Sequence, residues 1–327
     1  MKALIYEGPT TLVYREAPEP EVGAASLIEI AHVGICGSDM HAYAGHDPRR
    51  PAPLILGHEA AGTVIAGPLS GQRVTINPLV TCGVCAACVA GRENLCAVRQ
   101  IISMPPREGA FAERVAVPPQ NLVPLPDHVT TAAAALVEPI ACGWHAVRRA
   151  REVLPVPLEA ARCVVFGGGA IGLGAALVLA AEGAREIHLV EPQTERRAIA
   201  CAASGARGVD PADGVPDDAH LIIDGVGIEA TRAAASAAAA PGGVIAHIGL
   251  GGGGAGLDIR RMTLQEIAFI GTYTYTAEDF RQTAQALFDG RLGTLDWAEV
   301  RDLADGASAF ADIQSGRVPA PKIVLQP

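Results

Sequence analysis

The most constraining stretch of this chain is "RCVVFGGGAIGLGAALVLAAEG", Arg162 to Gly183. A β-branched run stops at three glycines and an Ala/Leu-rich run follows, which predicts buried strand, tight turn and buried helix in direct succession. Cys163 to Ala181 carries no charge over nineteen residues, a length that could span a bilayer. Five of the nineteen are glycines, which weaken a helix interior, so the stretch reads as core. The same alternation recurs in "EIHLVEP", "ERRAIACAASGA", "HLIIDGV", "EATRAAASAAAA", "GGVIAHIGL" and "EIAFIGT". Residues from about Ala141 to Gly271 are therefore expected to form βαβ units on a parallel sheet. The uncharged segment Ala233–Leu257, broken by "PGG" and "GGGG", is expected to run helix, turn, strand and loop.

Up to about Val137 the texture differs. Short Val/Ile runs such as "SLIEIAHVGI", "AAGTVIAG" and "QRVTINP" are separated by Pro and Gly, which suits an irregular, largely antiparallel β domain. After about Tyr273 the chain offers one helix, "AEDFRQTAQALFDG", and a closing strand, "PKIVLQP". The expected division is residues 1–140 with 273–327 as one domain and 141–272 as a second, inserted domain.

The glycines Gly167, Gly169 and Gly172 fit G-x-G-x-x-G between a strand and a helix, the context that a dinucleotide pyrophosphate requires. They permit the tight turn, backbone approach to the phosphates and close helix packing, while the helix start, with Ile171 in its first turn, offers free N–H groups. Glu191 follows nineteen residues after Gly172, at the end of the next strand, where a carboxylate binds ribose hydroxyls and repels a 2′-phosphate. NAD is thus favoured over NADP, although Arg196 and Arg197 stand nearby as possible phosphate partners.

Four of the eight cysteines fall within "CGVCAACVAGRENLC". Cys82, Cys85, Cys88 and Cys96 have C-x2-C-x2-C-x7-C spacing, suited to a tetrahedral zinc site. The ferredoxin run would need its fourth cysteine where Arg92 stands. Four thiolates fill the coordination shell, so this site is expected to be structural. Chemistry is sought instead at "VGICGSDMHAYAG" and "LGHEAAG", where Cys36 and His58 are suitable zinc ligands and Glu59 follows His58 directly.

These segments, with "VEPIACGWHA", stand in the order found in zinc-dependent medium-chain dehydrogenases/reductases. The chain resembles the sorbitol or polyol dehydrogenase branch of this alcohol dehydrogenase superfamily over essentially its whole length. The resemblance implies a GroES-like catalytic domain beside a Rossmann coenzyme domain, an α/β architecture. It also implies two zinc ions per chain, one catalytic and one structural, and a nicotinamide cofactor. Cys36 and His58 match catalytic zinc ligands. The third position matches Ala141 if "ACG" is aligned by its glycine, with Cys142 one residue late; in the sorbitol-like branch glutamates matching Glu59 and Glu138 serve instead. Neighbouring side chains on a regular strand face opposite ways, so His58 and Glu59 can share an ion only if the backbone bends. A Cys–His–Glu zinc supplies Lewis acidity to a substrate hydroxyl while the nicotinamide takes the hydride. Ser38 and His41 match the family's proton relay, and a histidine near its ordinary pKa of about 6.5 suits the exit. His32, His46, His128, His145, His188, His220 and His247 are read as structural or exposed. The loop before "GQRV" is shorter than usual, with Gln72 where Asp is common.

The expected activity is NAD-dependent oxidation of a polyol or secondary alcohol to the ketone. A threonine-like amino-alcohol or primary-alcohol dehydrogenase is the alternative, and a substrate carboxylate would call for an arginine such as Arg107. A non-enzymatic nucleotide- or zinc-binding protein is disfavoured by retention of Ser38, His41 and both ligand sets. The formal charge of −10 argues against nucleic acid and acidic membrane surfaces. "MKALIYEGPT" lacks a secretory signal pattern, so the cytoplasm and reduced thiols are expected, with a homo-oligomer, dimer or tetramer, implied by the resemblance.

Overall fold

The computed structural model describes residues 1–327. Its central element is a six-stranded, all-parallel sheet. The strand order is Arg207–Val209, Glu186–Val190, Arg162–Phe166, Ala219–Asp224, Ala239–His247 and Ala268–Gly271. The first strand in sequence, Arg162–Phe166, lies inside the sheet and the chain winds outward from it in both directions. This is the doubly wound nucleotide-binding topology, with its switch point beside that strand. The uncharged nineteen-residue stretch divides into this strand and the helix Ala170–Ala181. No helix is long and apolar enough to cross a membrane.

One sequence expectation changes here. The "PGG" at Pro241–Gly243 does not end an element but lies within the strand Ala239–His247. Ala219 pairs with Ala239 and Leu221 with Val244, so the extra residues form a bulge. Gly242 adopts φ +70° there and donates its N–H to the Gln265 carbonyl. Proline cannot donate to a sheet ladder, and a bulge is where a strand tolerates it.

The other large sheet has seven strands. From one side it runs Leu122–Pro124, Arg73–Ile76, Glu59–Ala66, Ser26–Gly34, Lys322–Gln326 and Ala298–Asp302, with Arg114–Val117 also paired to Ser26–Gly34. All contacts are antiparallel except that between the two C-terminal strands. The tail thus closes the sheet begun by the N-terminal region. The helix Ala277–Phe288 packs on Val137–Arg151, and Phe280, Ala284 and Leu287 join the 42-residue apolar cluster that includes Cys163 and Val165 of the Arg162–Phe166 strand and the apolar residues of the Ala170–Ala181 helix from Leu173 to Leu179. A second cluster of 31 residues fills the antiparallel part. The helix Val137–Arg151 bridges the two parts, carrying Glu138 at one end and packing along Ala170–Ala181.

Candidate active site

Cys36 caps the short helix Gly37–Tyr43, just after the strand Ser26–Gly34. His58 lies immediately before the strand Glu59–Ala66 and after Gly57, whose φ of +89° turns the chain. His58 is therefore outside the pleat, and the alternation that would separate it from Glu59 does not apply. One ligand atom each from Cys36, His58 and Glu59 lies within 4.8 Å of the others. Glu138 is not part of this group of three.

The residues behind these donors fix their positions. Glu59 is fully buried and faces Gly34 across the sheet, where a Cβ would fall 2.1 Å from Glu59 Oε2. Only glycine leaves room for the carboxylate. Lys322 Nζ stands 2.7 Å from each Glu59 oxygen, with hydrogen-bond geometry to Oε1 alone, and also donates to the Ile35 carbonyl at 2.8 Å. Asp39 Oδ1 lies 3.6 Å from His58 Nδ1, and Ser103 Oγ shares a 3.3 Å hydrogen bond with that nitrogen. A carboxylate behind a ligating histidine orients the ring. Glu138 Oε1 accepts from the Tyr275 hydroxyl at 2.5 Å.

The electrostatics describe a pocket that attracts positive charge. Burial opposes protonation of His58, but Asp39 and then Cys36 outweigh it and raise its pKa well above the ordinary value. Burial likewise opposes the charge on Lys322, which Glu59 and Cys36 restore and strengthen. Glu138 is pushed up to about 7 by burial and by the Glu59 charge, against the pull of His58. A thiol, an imidazole and a buried carboxylate oxygen with no hydrogen bond form a donor set that fits a borderline-soft divalent cation. Cys142 lies close enough for the Glu138, Cys36 and Glu59 charges to raise its thiol pKa further beyond the effect of burial.

Ser38 and His41 lie three residues apart on the helix Gly37–Tyr43, hence on one face of it. His41 is exposed and Ser38 partly buried. The buried Arg50 donates to Ser38 Oγ and to the Ser38 carbonyl, both at 3.3 Å, and to the Ser103 carbonyl at 3.0 Å. Its charge is met by Asp47 at 2.7 Å.

The four-cysteine lobe is a separate cluster. Sulfur separations are 3.6 Å for Cys85–Cys88 and for Cys82–Cys96, and 3.9 Å for Cys82–Cys88. A tetrahedron with Zn–S bonds of about 2.3 Å has edges of about 3.8 Å, so the four thiols fit a closed zinc site. Backbone N–H groups of Val84 and Cys85 lower the Cys82 pKa to about 6, while burial and Cys85 push Cys88 up to about 12. The lobe is fastened to the segment after the parallel sheet. Asn94 donates to the Tyr273 carbonyl at 2.9 Å, Glu93 accepts from Ala277 N at 2.5 Å, and Arg99 stacks over the Tyr273 ring at 4.8 Å.

At the nucleotide turn, Gly167 follows the Arg162–Phe166 strand and Gly169 caps the Ala170–Ala181 helix. A Cβ on Gly172 would fall 1.9 Å from the Gly167 carbonyl oxygen. Ile171 lies partly buried in the helix's first turn. The buried Glu191 accepts from Gly168 N at 2.8 Å and Gln193 N at 2.9 Å. Arg196 donates to the Val318 carbonyl at 2.6 Å, and Arg197 pairs with Asp210 at 3.2 Å and bonds the Glu191 carbonyl. Both arginines are engaged with protein groups rather than left free beside Glu191. Arg107, the arginine considered for a substrate carboxylate, donates to Gln100 at 2.8 Å.

Asp39, Arg50, Ser103, Tyr275 and Lys322 join the site without having been singled out in the sequence, and all but Asp39 lie outside the motifs that located it. Only Asp39 carried a local signal, since it sits inside "CGSDMH".

Residues 24–127 match the family described as alcohol dehydrogenase GroES-like domain, and residues 170–289 match zinc-binding dehydrogenase. L-galactonate-5-dehydrogenase of Escherichia coli (strain K12) is 33% identical over 311 residues, covering 89% of this chain and 88% of that protein. The protein described as "Probable D-xylulose reductase A" of Arthroderma otae is 29% identical over 342 residues, covering 96% and 94%. The crystal structure of galactitol-1-phosphate dehydrogenase from Escherichia coli superposes with a TM-score of 0.88 over 100% of both chains, at 24% identity, a likeness of fold.

Proposed function

The chain belongs to the zinc-dependent medium-chain dehydrogenases/reductases of the alcohol dehydrogenase superfamily, and we propose that it oxidises a secondary hydroxyl of a polyol or sugar-derived substrate to the ketone with NAD. It is an oxidoreductase acting on CH–OH donors, with a GroES-like and a nucleotide-binding domain. The observation that carries the reading is the convergence of Cys36, His58 and Glu59 on one point. Three protein donors form an incomplete zinc shell, as in catalytic sites, whereas the four-cysteine lobe is complete. Relatives that act on sugar-derived substrates support the substrate class.

When bound, zinc supplies Lewis acidity to the substrate hydroxyl and the nicotinamide accepts the hydride. This chain's residues do the rest. Cys36, His58 and Glu59 hold the metal, with Glu138 held back by Tyr275 as an alternative donor. Asp39 and Ser103 set the His58 ring through Nδ1, leaving Nε2 for the metal. Ser38 Oγ takes the substrate proton, and the exposed His41 one helical turn on delivers it to solvent. Gly167, Gly169, Ile171 and Gly172 form the pyrophosphate turn, and Glu191 selects NAD because a buried carboxylate repels a 2′-phosphate. Cys82, Cys85, Cys88 and Cys96 hold a second, structural zinc.

The test is a panel of polyols, simple secondary alcohols and hydroxy amino acids with NAD and with NADP, followed at the nicotinamide absorbance. Turnover of polyols with NAD is expected; turnover confined to hydroxy amino acids or primary alcohols would contradict the reading.

A further inference from the structure

The Ser38 hydroxyl has a cation as its hydrogen-bonded neighbour. Arg50 lies in "HDPRRP", in the loop that follows the helix Gly37–Tyr43, and is only 3% exposed. The adjacent Arg49 is exposed, and both arginines meet Asp47, at 2.8 Å and 2.7 Å. Burying a guanidinium is costly, and one carboxylate partner does not by itself make the burial stabilising. What the burial achieves is position. Arg50 directs its other donors at two turns of the active site that are far apart in sequence. Nη2 donates to Ser38 Oγ and Nη1 to the Ser38 carbonyl, both at 3.3 Å, while Nε donates to the Ser103 carbonyl at 3.0 Å. Catalytic hydrogen bonds are often this long before substrate binds and tighten in the complex.

Ser103 ties Arg50 to the metal donors. It is fully buried and adopts φ +73°, a left-handed conformation that a residue other than glycine keeps only where its surroundings hold it. The bond from Arg50 to its carbonyl is one such restraint. Ser103 Oγ is the group that shares a hydrogen bond with His58 Nδ1. One guanidinium therefore bridges the turn that carries Ser38 and the turn that orients His58.

The hydrogen inventory gives this bridge a direction. A serine hydroxyl has one hydrogen and two lone pairs, whereas a guanidinium only donates. With one Ser38 lone pair occupied by Arg50, the other is left for the substrate O–H, and the Ser38 hydrogen must point onward. As the substrate proton reaches Ser38 Oγ, the serine's own proton leaves toward His41 and solvent, so the serine is neutral before and after. A positive donor stabilises negative charge on Oγ during the transfer. Water or a second hydroxyl in the same place could reverse its role; arginine cannot.

We propose that Arg50 is the positioning residue of the proton relay: it holds the Ser38 hydroxyl as acceptor toward the substrate and donor toward the exit, in register with His58 through Ser103. This rests on the dehydrogenase reading given above and deepens it.

Arg50→Lys tests it, because lysine keeps the charge beside Asp47 but lacks the planar fork that reaches both turns. The assay uses zinc-loaded enzyme with NAD and sorbitol, or a faster polyol of the panel above. The kcat should fall about tenfold or more, the scale of one charge-assisted hydrogen bond, with KM for the polyol within about twofold of the parent's. In a Ser38→Ala background the same substitution should cost less than about twofold, since the hydroxyl through which it acts is gone. Zinc content and the visible spectrum of the cobalt-substituted enzyme should match the parent's. Arg49→Gln, at the exposed partner of Asp47, should leave kcat unchanged. In Arg50→Ala, guanidinium ion at millimolar concentration should restore part of the lost kcat, which also serves if the lysine variant does not fold. An unchanged kcat in Arg50→Lys, an equal loss with and without Ser38, a loss accompanied by altered cobalt bands, or no recovery with guanidinium would overturn the proposal and leave the dehydrogenase reading standing. If the parent oxidises none of the alcohols, that reading fails and the proposal falls with it.

Discussion

Lys322 Nζ and the carboxylate of Glu59 stand 2.7 Å apart, both buried, although 263 residues separate them in sequence. The pair joins the closing strand to the strand that begins with Glu59, so residues near the end of the sequence help build the site. Removing one member of a buried ion pair leaves an uncompensated charge. Lys322→Met should therefore cost about 3–5 kcal/mol in metal-free protein, and less once zinc shares the Glu59 charge. Urea unfolding with and without zinc checks this; an equal loss in both states would show that Glu59 does not face the metal.

Asp279 accepts from His145 at 2.7 Å, from Arg148 at 2.6 Å and from the Thr276 hydroxyl at 2.7 Å. Burial opposes its charge, but His145, Arg148 and Thr276 together hold its pKa well below the usual carboxylate range. A carboxylate depressed in the folded state stabilises above its unfolded pKa of about 3.9 and loses that contribution as pH falls toward the folded value. Asp279→Asn should lower stability at pH 7 by about 2–4 kcal/mol, with the difference from the parent shrinking below about pH 4. A constant difference from pH 7 to pH 3 would contradict the ion-pair account.

Glu191, proposed above as the ribose partner, accepts from the Gly168 and Gln193 N–H groups. Glu191→Ala should raise kcat/KM for NADP relative to NAD by about tenfold or more, since a like-charge repulsion of about 1.4 kcal/mol or greater is removed. An unchanged coenzyme ratio would mean that discrimination lies elsewhere.

The cysteine lobe gives a different expectation. Cys82→Ser should lower the melting temperature by several degrees or more as the structural site loses a thiolate, while hydride transfer per folded molecule stays within about twofold. Selective loss of turnover in a stable variant would place chemistry at the lobe.

The parallel sheet was legible because its strands and helices are local and punctuated by glycines whose role is steric. Gly172 must lack a Cβ, and its spacing from Gly167 can be read without a structure. The residues that converge as Cys36, His58 and Glu59 were legible as candidates because each lies in a compact motif. Lys322 was not, because in "PKIVLQP" it resembles any lysine at a strand start, and only the pairing of the closing strand with Ser26–Gly34 brings it to Glu59. Tyr275 and the Asp279 network were hidden alike, since their partners Glu138, His145 and Arg148 are more than 130 residues away. The bulge at Pro241–Gly243 misled because "PGG" signals a turn locally, while strand pairing on both sides outweighs it. Arg196 stands near Glu191 in sequence, yet its guanidinium reaches the Val318 carbonyl.

The central claim is that Cys36, His58 and Glu59 form a metal site distinct from the cysteine lobe. Zinc content by mass spectrometry, measured on the purified chain and on Cys36→Ser, tests it most directly. About two zinc ions per chain are expected in the parent and about one in Cys36→Ser, with NAD-linked turnover abolished and the fold retained by circular dichroism. A single zinc in the parent, or unchanged zinc and unchanged kinetics in Cys36→Ser, would contradict the account.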